Sequence, residues 1–110
     1  MAAVANLRID QGASFSSDVT VTNSDGDAVD LSGYTTEARM AKSYGGTTTT
    51  ITAAVASDAT SGVVELSLTD TQTAALDAPA RYVYDVYITK TADSTVTRVI
   101  EGVITVNPKV

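Results

Sequence analysis

The sequence predicts an all-β fold, and three observations carry that reading. Its C-terminal part holds two long runs of β-branched and aromatic residues, Arg81 to Lys90 and Thr95 to Val106, around a short polar turn of Thr91, Ala92, Asp93 and Ser94. That is the pattern of a β-hairpin. Upstream, short segments of alternating apolar and polar residues recur between turn clusters, at a spacing typical of sandwiches. Only one segment breaks this rhythm with helical signals.

Taken in order, Val4 to Ile9 is the first strand, ended by a turn at Asp10, Gln11 and Gly12. Phe15, Ser17, Val19 and Val21 alternate with Ser16, Asp18, Thr20 and Thr22, which gives a strand with one buried face. Asn23 to Asp27 is a turn cluster in which Gly26 supplies a positive φ. Val29 and Leu31 lead through Gly33 and Tyr34 into a weaker strand, Thr36 to Ala41, with Ala38 and Met40 inward and Glu37 and Arg39 outward. Tyr44, Gly45, Gly46 and the threonines from Thr47 to Thr50 are expected to form a loop. Ile51, Ala53 and Val55 mark the next strand, Ser57 to Gly62 a turn, and Val64, Leu66 and Leu68 another strand.

The exception begins at Thr69. Thr69 and Gln72 have the spacing of a capping box, in which each side chain satisfies a backbone N–H of the other residue. Asp70 suits the positive end of the helix dipole, Ala74, Ala75 and Leu76 are good helix formers, and Pro79 stops the run. A helix of about two turns therefore bridges two strands at one end of the fold, with Leu76 plugging the core. About seven strands with this helix before the C-terminal hairpin fit a single immunoglobulin-like β-sandwich over residues 1–110; strand order is not readable.

The hairpin has no clean polar face. Tyr82, Tyr84, Val86 and Ile88 share one side of its first strand, and Val83, Asp85, Tyr87 and Thr89 the other. On the second strand Val96, Ile100, Ile104 and Val106 oppose Val99, Glu101 and Val103. Two explanations stand side by side. Either the strands are covered on both faces, by the core and by another molecule, or a β-bulge at Gly102 switches which residues point inward.

Composition narrows the chemistry. The net charge of −6 repels nucleic-acid backbones and anionic membranes, so neither is an expected partner. Charged residues make up only 18%, leaving Thr, Ser and Ala to cover the surface. The N-terminus lacks the basic and apolar regions of a signal peptide, and no run is long enough to span a bilayer. The chain is accordingly expected to be made and folded in a cytoplasm. It has no His and no Cys, which removes the commonest general base, the thiol nucleophile and the usual zinc ligands. Residues 44–48 lack the lysine and helix of a phosphate loop. Asp85 and Glu101 could meet across the hairpin as glycosidase acids do, or simply pair with Arg98 or Arg81. Asp25, Asp27 and Asp30 resemble part of a calcium loop, but the Glu at its twelfth position and the flanking helices are absent, and an Asp-Gly turn whose carboxylates cap local N–H groups is the preferred reading. Tyr34, Tyr44 and Tyr87 could be exposed sugar platforms or interface aromatics. No enzyme activity, metal or cofactor is expected.

Five segments, Ile9 to Phe15, Asp25 to Tyr34, Leu66 to Leu76, Arg81 to Val86 and Arg98 to Val106, occur in an order that resembles small virion structural proteins of tailed bacteriophages, particularly phages of marine cyanobacteria. The layout is also similar to the amino-terminal domain of phage baseplate upper proteins. There an aliphatic strand passes through an Asp-Gly turn into an Asp-Leu-Ser/Thr-Gly step, and a Leu-Thr-x-x-Gln helix precedes a Tyr-x-Tyr-Asp/Glu strand. The resemblance covers nearly the whole chain, and its motifs are marks of fold. It implies a non-enzymatic structural part of a virion, assembled in a host bacterial cytoplasm, in the tail or baseplate or as a head decoration. Longer relatives attach the domain to further modules; this chain is expected to act as one domain. Its partners would be copies of itself or other virion proteins, and a homo-oligomer accounts for the two-sided hairpin. Val83, Tyr87, Val99 and Val103 are the expected assembly interface. The alternative from another class is a carbohydrate-binding or adhesion module.

Overall fold

The alternating segments become strands because each can bury one face. In a computed structural model, which describes residues 3–23, 25–43 and 45–109, eight strands follow one another: β1 (Ala3–Val4), β2 (Leu7–Asp10), β3 (Phe15–Thr20), β4 (Tyr34–Ala41), β5 (Thr48–Val55), β6 (Val63–Leu68), β7 (Ala80–Lys90) and β8 (Val96–Asn107). A 3-10 turn, Ala59–Ser61, precedes β6, and the helix α1, Asp70–Ala74, lies between β6 and β7. The all-β class is therefore present, with its short helix ahead of the closing hairpin.

Hydrogen bonding runs through one continuous sheet in the order β1-β8-β7-β4-β5-β6-β3, with β2 following β1 along the same edge of β8. β5 is the hinge of this arrangement. Its first half pairs with β4, from Ile51 opposite Ala38 to Thr48 opposite Ala41, and its second half pairs with β6 from Thr52 to Val55. The sheet thus folds over one core and comes near to a barrel. Ile9, Leu31, Met40, Ile51, Val64, Leu66, Val86, Ile100, Ile104 and Val106 fill it, each essentially without solvent contact. At about 1.5–3 kcal/mol for each such side chain, this inner face is the main source of stability.

The capping box forms as its spacing predicts, but the helix has only five residues, short of the two turns expected, and is capped at Ala75 before Leu76. Thr69 Oγ1 accepts from Gln72 N–H at 3.2 Å while Gln72 Oε1 accepts from Thr69 N–H at 2.8 Å. Leu76 is buried as expected. Thr73 does more than the sequence suggests. Fully buried, its hydroxyl accepts from Gly12 N–H at 3.0 Å and lies 2.9 Å from the Ala13 carbonyl, which fastens α1 to the turn after β2. Gln11 adds a second link, donating through Nε2 to the Leu76 carbonyl at 2.8 Å.

Three local expectations change. The threonines Thr48, Thr49 and Thr50 belong to β5 and not to a loop, since Thr49 extends the inward row beside Met40. The first strand is broken in two at Ala5 and Asn6, where the Asn6 side chain takes over from the ladder by accepting from Val103 N–H at 3.1 Å. The bulge lies at Val99 and not at Gly102: Val86 faces Ile100 but Tyr87 faces Arg98, so Val99 has no opposite residue. Gly102 serves a different purpose. A Cβ there would stand 2.1 Å from the Ala5 carbonyl oxygen and 3.0 Å from the Tyr84 ring, so glycine is what lets the N-terminal backbone approach. Tyr84 occupies the space gained and donates its hydroxyl to the same Ala5 oxygen at 2.5 Å. Burial pushes the Tyr84 phenol up to about 12.

Candidate assembly surface

The β7–β8 hairpin presents two faces of different character. Tyr82, Tyr84, Val86, Ile88, Ile100, Ile104 and Val106 point inward and are buried. Outward, β4, β7 and β8 set up rows fixed by register. Glu37, Tyr87 and Arg98 form one row, Arg39, Asp85 and Glu101 the next, and Ala41, Val83 and Val103 a third.

Three of the four residues expected at an interface come together here. Val83 and Val103 are directly opposite each other and half-buried, and Tyr87, also half-buried, lies on the same face. None of the three belongs to the core or packs against it. Val99 differs. As the extra residue of the bulge it packs against the core cluster, so the structure separates it from the other three. The bulge also reverses the side on which Val96 lies. Counted by alternation, Val96 falls with Ile100 on the inner face; with one residue looped out it stands opposite Thr89 on the outer face, 59% exposed. The sequence signal for this was weak, because Val99 is an ordinary strand residue and Gly102 a far more conspicuous breaker.

The carboxylates of this face do pair as register partners. Asp85 is opposite Glu101, and such like-charge neighbours repel. Arg98 relieves the contact by binding Glu101 at 3.0 Å, and Arg39, the register neighbour of Asp85 on β4, is ion-paired with Glu37. Arg81 lies further along, opposite Thr105. A cavity of about 200 Å³ opens between β4, β7 and the β4–β5 connection, touching Arg39, Val83, Asp85 and Tyr87 but not Glu101. The two carboxylates therefore do not converge on one hollow, and its volume falls below the roughly 300 Å³ where small-molecule sites begin.

The remaining candidates dissolve into local structure. Asn23, and neither Asp25 nor Asp27, caps the turn before β4: its Oδ1 accepts from the Asp25 and Asp27 N–H groups at 2.9 and 3.1 Å. Hydrogen bonding from the Ser32 side chain, and next from the Ser32 N–H at 2.9 Å, holds the Asp30 carboxyl below the ordinary value. Among the described residues no group of three His, Cys, Asp or Glu side chains is placed to hold a metal ion. Of the tyrosines considered as sugar platforms, Tyr34 packs on the core, Tyr87 lies half-buried on the outer hairpin face, and Tyr44 lies outside the described residues. No helix among the described residues is long and apolar enough to cross a membrane.

Compared with known proteins, the chain matches no family model, and no curated protein matches it.

Proposed function

We propose that the chain is a non-enzymatic structural subunit of a tailed-phage virion, placed in the tail or baseplate or on the head as a decoration, and that it acts through protein–protein contacts. The observation that carries this reading is the outer face of β7 and β8. Val83, Tyr87 and Val103 stand there away from the core, on a sheet whose inner face already has a complete apolar filling. Apolar residues that a fold does not itself need mark a surface made for a partner. The order of motifs from Ile9 to Val106 supplies the particle context through its resemblance to small virion proteins. A subunit of this kind folds without disulfides and meets its partners in symmetric multiples, consistent with a cysteine-free chain.

Mass spectrometry of gradient-purified phage particles tests the reading. The chain should be recovered in fixed stoichiometry with the known structural proteins of the particle. Its absence from intact particles, while it is present in the infected cell, would overturn the proposal.

A further inference from the structure

Charge on this molecule follows one face. All four arginines, Arg8, Arg39, Arg81 and Arg98, are exposed and stand on the outer side of the part of the sheet formed by β2, β8, β7 and β4. Register fixes their positions: Arg39 beside Asp85, Arg98 opposite Tyr87, and Arg81 and Arg8 on either side of Thr105. The lysines are elsewhere. Lys42 follows β4, Lys90 ends β7, and Lys109 lies beyond β8. Four acids, Asp10, Glu37, Asp85 and Glu101, share the arginine face, so it is neutral and the entire net charge of −6 lies on the rest of the molecule.

The same face collects the apolar residues that the core leaves out. Val4 is 69% exposed and Val96 59%, and these are the exposed large hydrophobics among the described residues. Val4 lies beside Glu101 in register and Val96 opposite Thr89, both outward, so they frame Val83, Tyr87 and Val103. Arginine and tyrosine with lysine excluded is the composition of interfaces. A guanidinium is weakly hydrated and pairs in a plane with a carboxylate, whereas an ammonium resists losing its water.

We propose that this face is the contact between two copies of the chain, related by a two-fold axis, in which the arginines of each copy meet the carboxylates of the other. The inference rests on the assembly reading and names its surface and occupant. Charge decides the occupant. A two-fold contact must be complementary to itself, and here opposite signs sit in neighbouring rows: Glu37 and Arg98 flank Tyr87, and Arg39 and Glu101 flank Asp85. A polyanion would need a net positive face, and a basic partner would be drawn to the acidic remainder. Two copies carrying −6 each keep that charge farthest apart when they meet through the neutral face. The area is sufficient as well. Four neighbouring strand widths of about 4.8 Å, along the eleven residues of β7 at about 3.3 Å each, span roughly 700 Å², near the ~800 Å² per partner of a standard interface.

Sedimentation velocity on the full chain, with thermal melts to confirm folding, tests this. The wild type should dimerise with micromolar or tighter affinity. Arg39→Glu with Arg98→Glu, and separately Asp85→Arg with Glu101→Arg, should each weaken self-association at least tenfold. An equimolar mixture of the two double variants should recover a heterodimer, which only paired complementary faces can produce. Asp18→Lys with Glu65→Lys, on the opposite outer face, should leave association unchanged. A monomeric wild type, or arginine variants that associate as the wild type does, would overturn the inference. If the face pairs as described but the chain is missing from particles, the virion reading fails and this contact stands. If Arg39→Glu with Arg98→Glu enters particles in wild-type amount, the contact fails and the virion reading stands.

Discussion

Two outer faces of one sheet solve the same problem differently. Both β7–β8 and β3–β6 bury an aliphatic inner row, and both put two acids opposite each other outside: Asp85 against Glu101 in one, Asp18 against Glu65 in the other. Around Asp18 and Glu65 the outward neighbours are Ser16, Thr20, Ser67, Thr52 and Ala54, small or hydroxylated, and a single valine, Val63, with no arginine. Around Asp85 and Glu101 they are Arg39, Arg98, Tyr87, Val83 and Val103. A strand at the sheet edge with a bare carboxylate pair repels other edges and stays wet, which suits β3. Equal charges of both signs set among valines and a tyrosine suit burial against a partner. The inner rows make the fold; the outer rows differ in the way that a solvent face would differ from the proposed contact face.

The largest effect is expected where the contact face depends on the N-terminal strands. Gly102→Ala puts a Cβ 2.1 Å from the Ala5 carbonyl oxygen, backbone that cannot move without detaching β1 and β2 from β8. Overpacking of that kind should cost about 3 kcal/mol. Urea unfolding of Gly102→Ala should show a lower midpoint with an unchanged slope. A midpoint within error of the wild type would mean that the N-terminal strands do not sit against Gly102.

Next comes a pair of charges that separates the bulge from the face. Val99 packs on the core, so Val99→Asp should lose about 2 kcal/mol in dilute solution, the cost of an unpartnered polar group at a buried edge. Val103→Asp, outward and opposite Val83, should stay within about 0.5 kcal/mol of the wild type as a monomer. The two positions are four residues apart on one strand. Equal losses at both would erase the distinction between core and contact residues along β8.

Much of this was legible in the sequence, and the failures share a cause. Alternation placed the inward residues of β3, β4, β6 and β7, and the capping box placed α1, because both signals act within a few residues. A bulge at Gly102 is one of two readings open in the sequence, because a strand glycine signals either extra backbone or close backbone. Only the distant Ala5, which sequence proximity does not reveal, decides between them. The register slip at Val99 hid Val96 for the same reason, since one looped-out residue inverts every assignment beyond it. Val83 and Tyr87 keep the outward side that alternation gives them because the extra residue is on β8, and Val103 lies on the near side of it. The gathering of all four arginines on one face was invisible until strand order was known, as Arg8, Arg39, Arg81 and Arg98 are scattered along the chain.

The smallest effect bears on the charges themselves. Asp18→Lys turns the repelling pair with Glu65 into an attracting one, on a face with no cation nearby, and should stabilise the monomer by about 0.4 kcal/mol at low ionic strength. Asp85→Lys makes the same change opposite Glu101, but there Arg98 already binds the glutamate at 3.0 Å and Arg39 is the register neighbour on β4. The new lysine would gain one carboxylate and face two guanidinium groups, so no stabilisation is expected. Thermal melts of both variants, at low salt and at about 1 M salt where exposed pairs are screened, separate the cases. The Asp18→Lys gain should fade with salt while Asp85→Lys shows none to lose. If both variants gain equally, the arginines around Asp85 are not engaging its face, and the contrast between the two outer surfaces reduces to their valines and tyrosine.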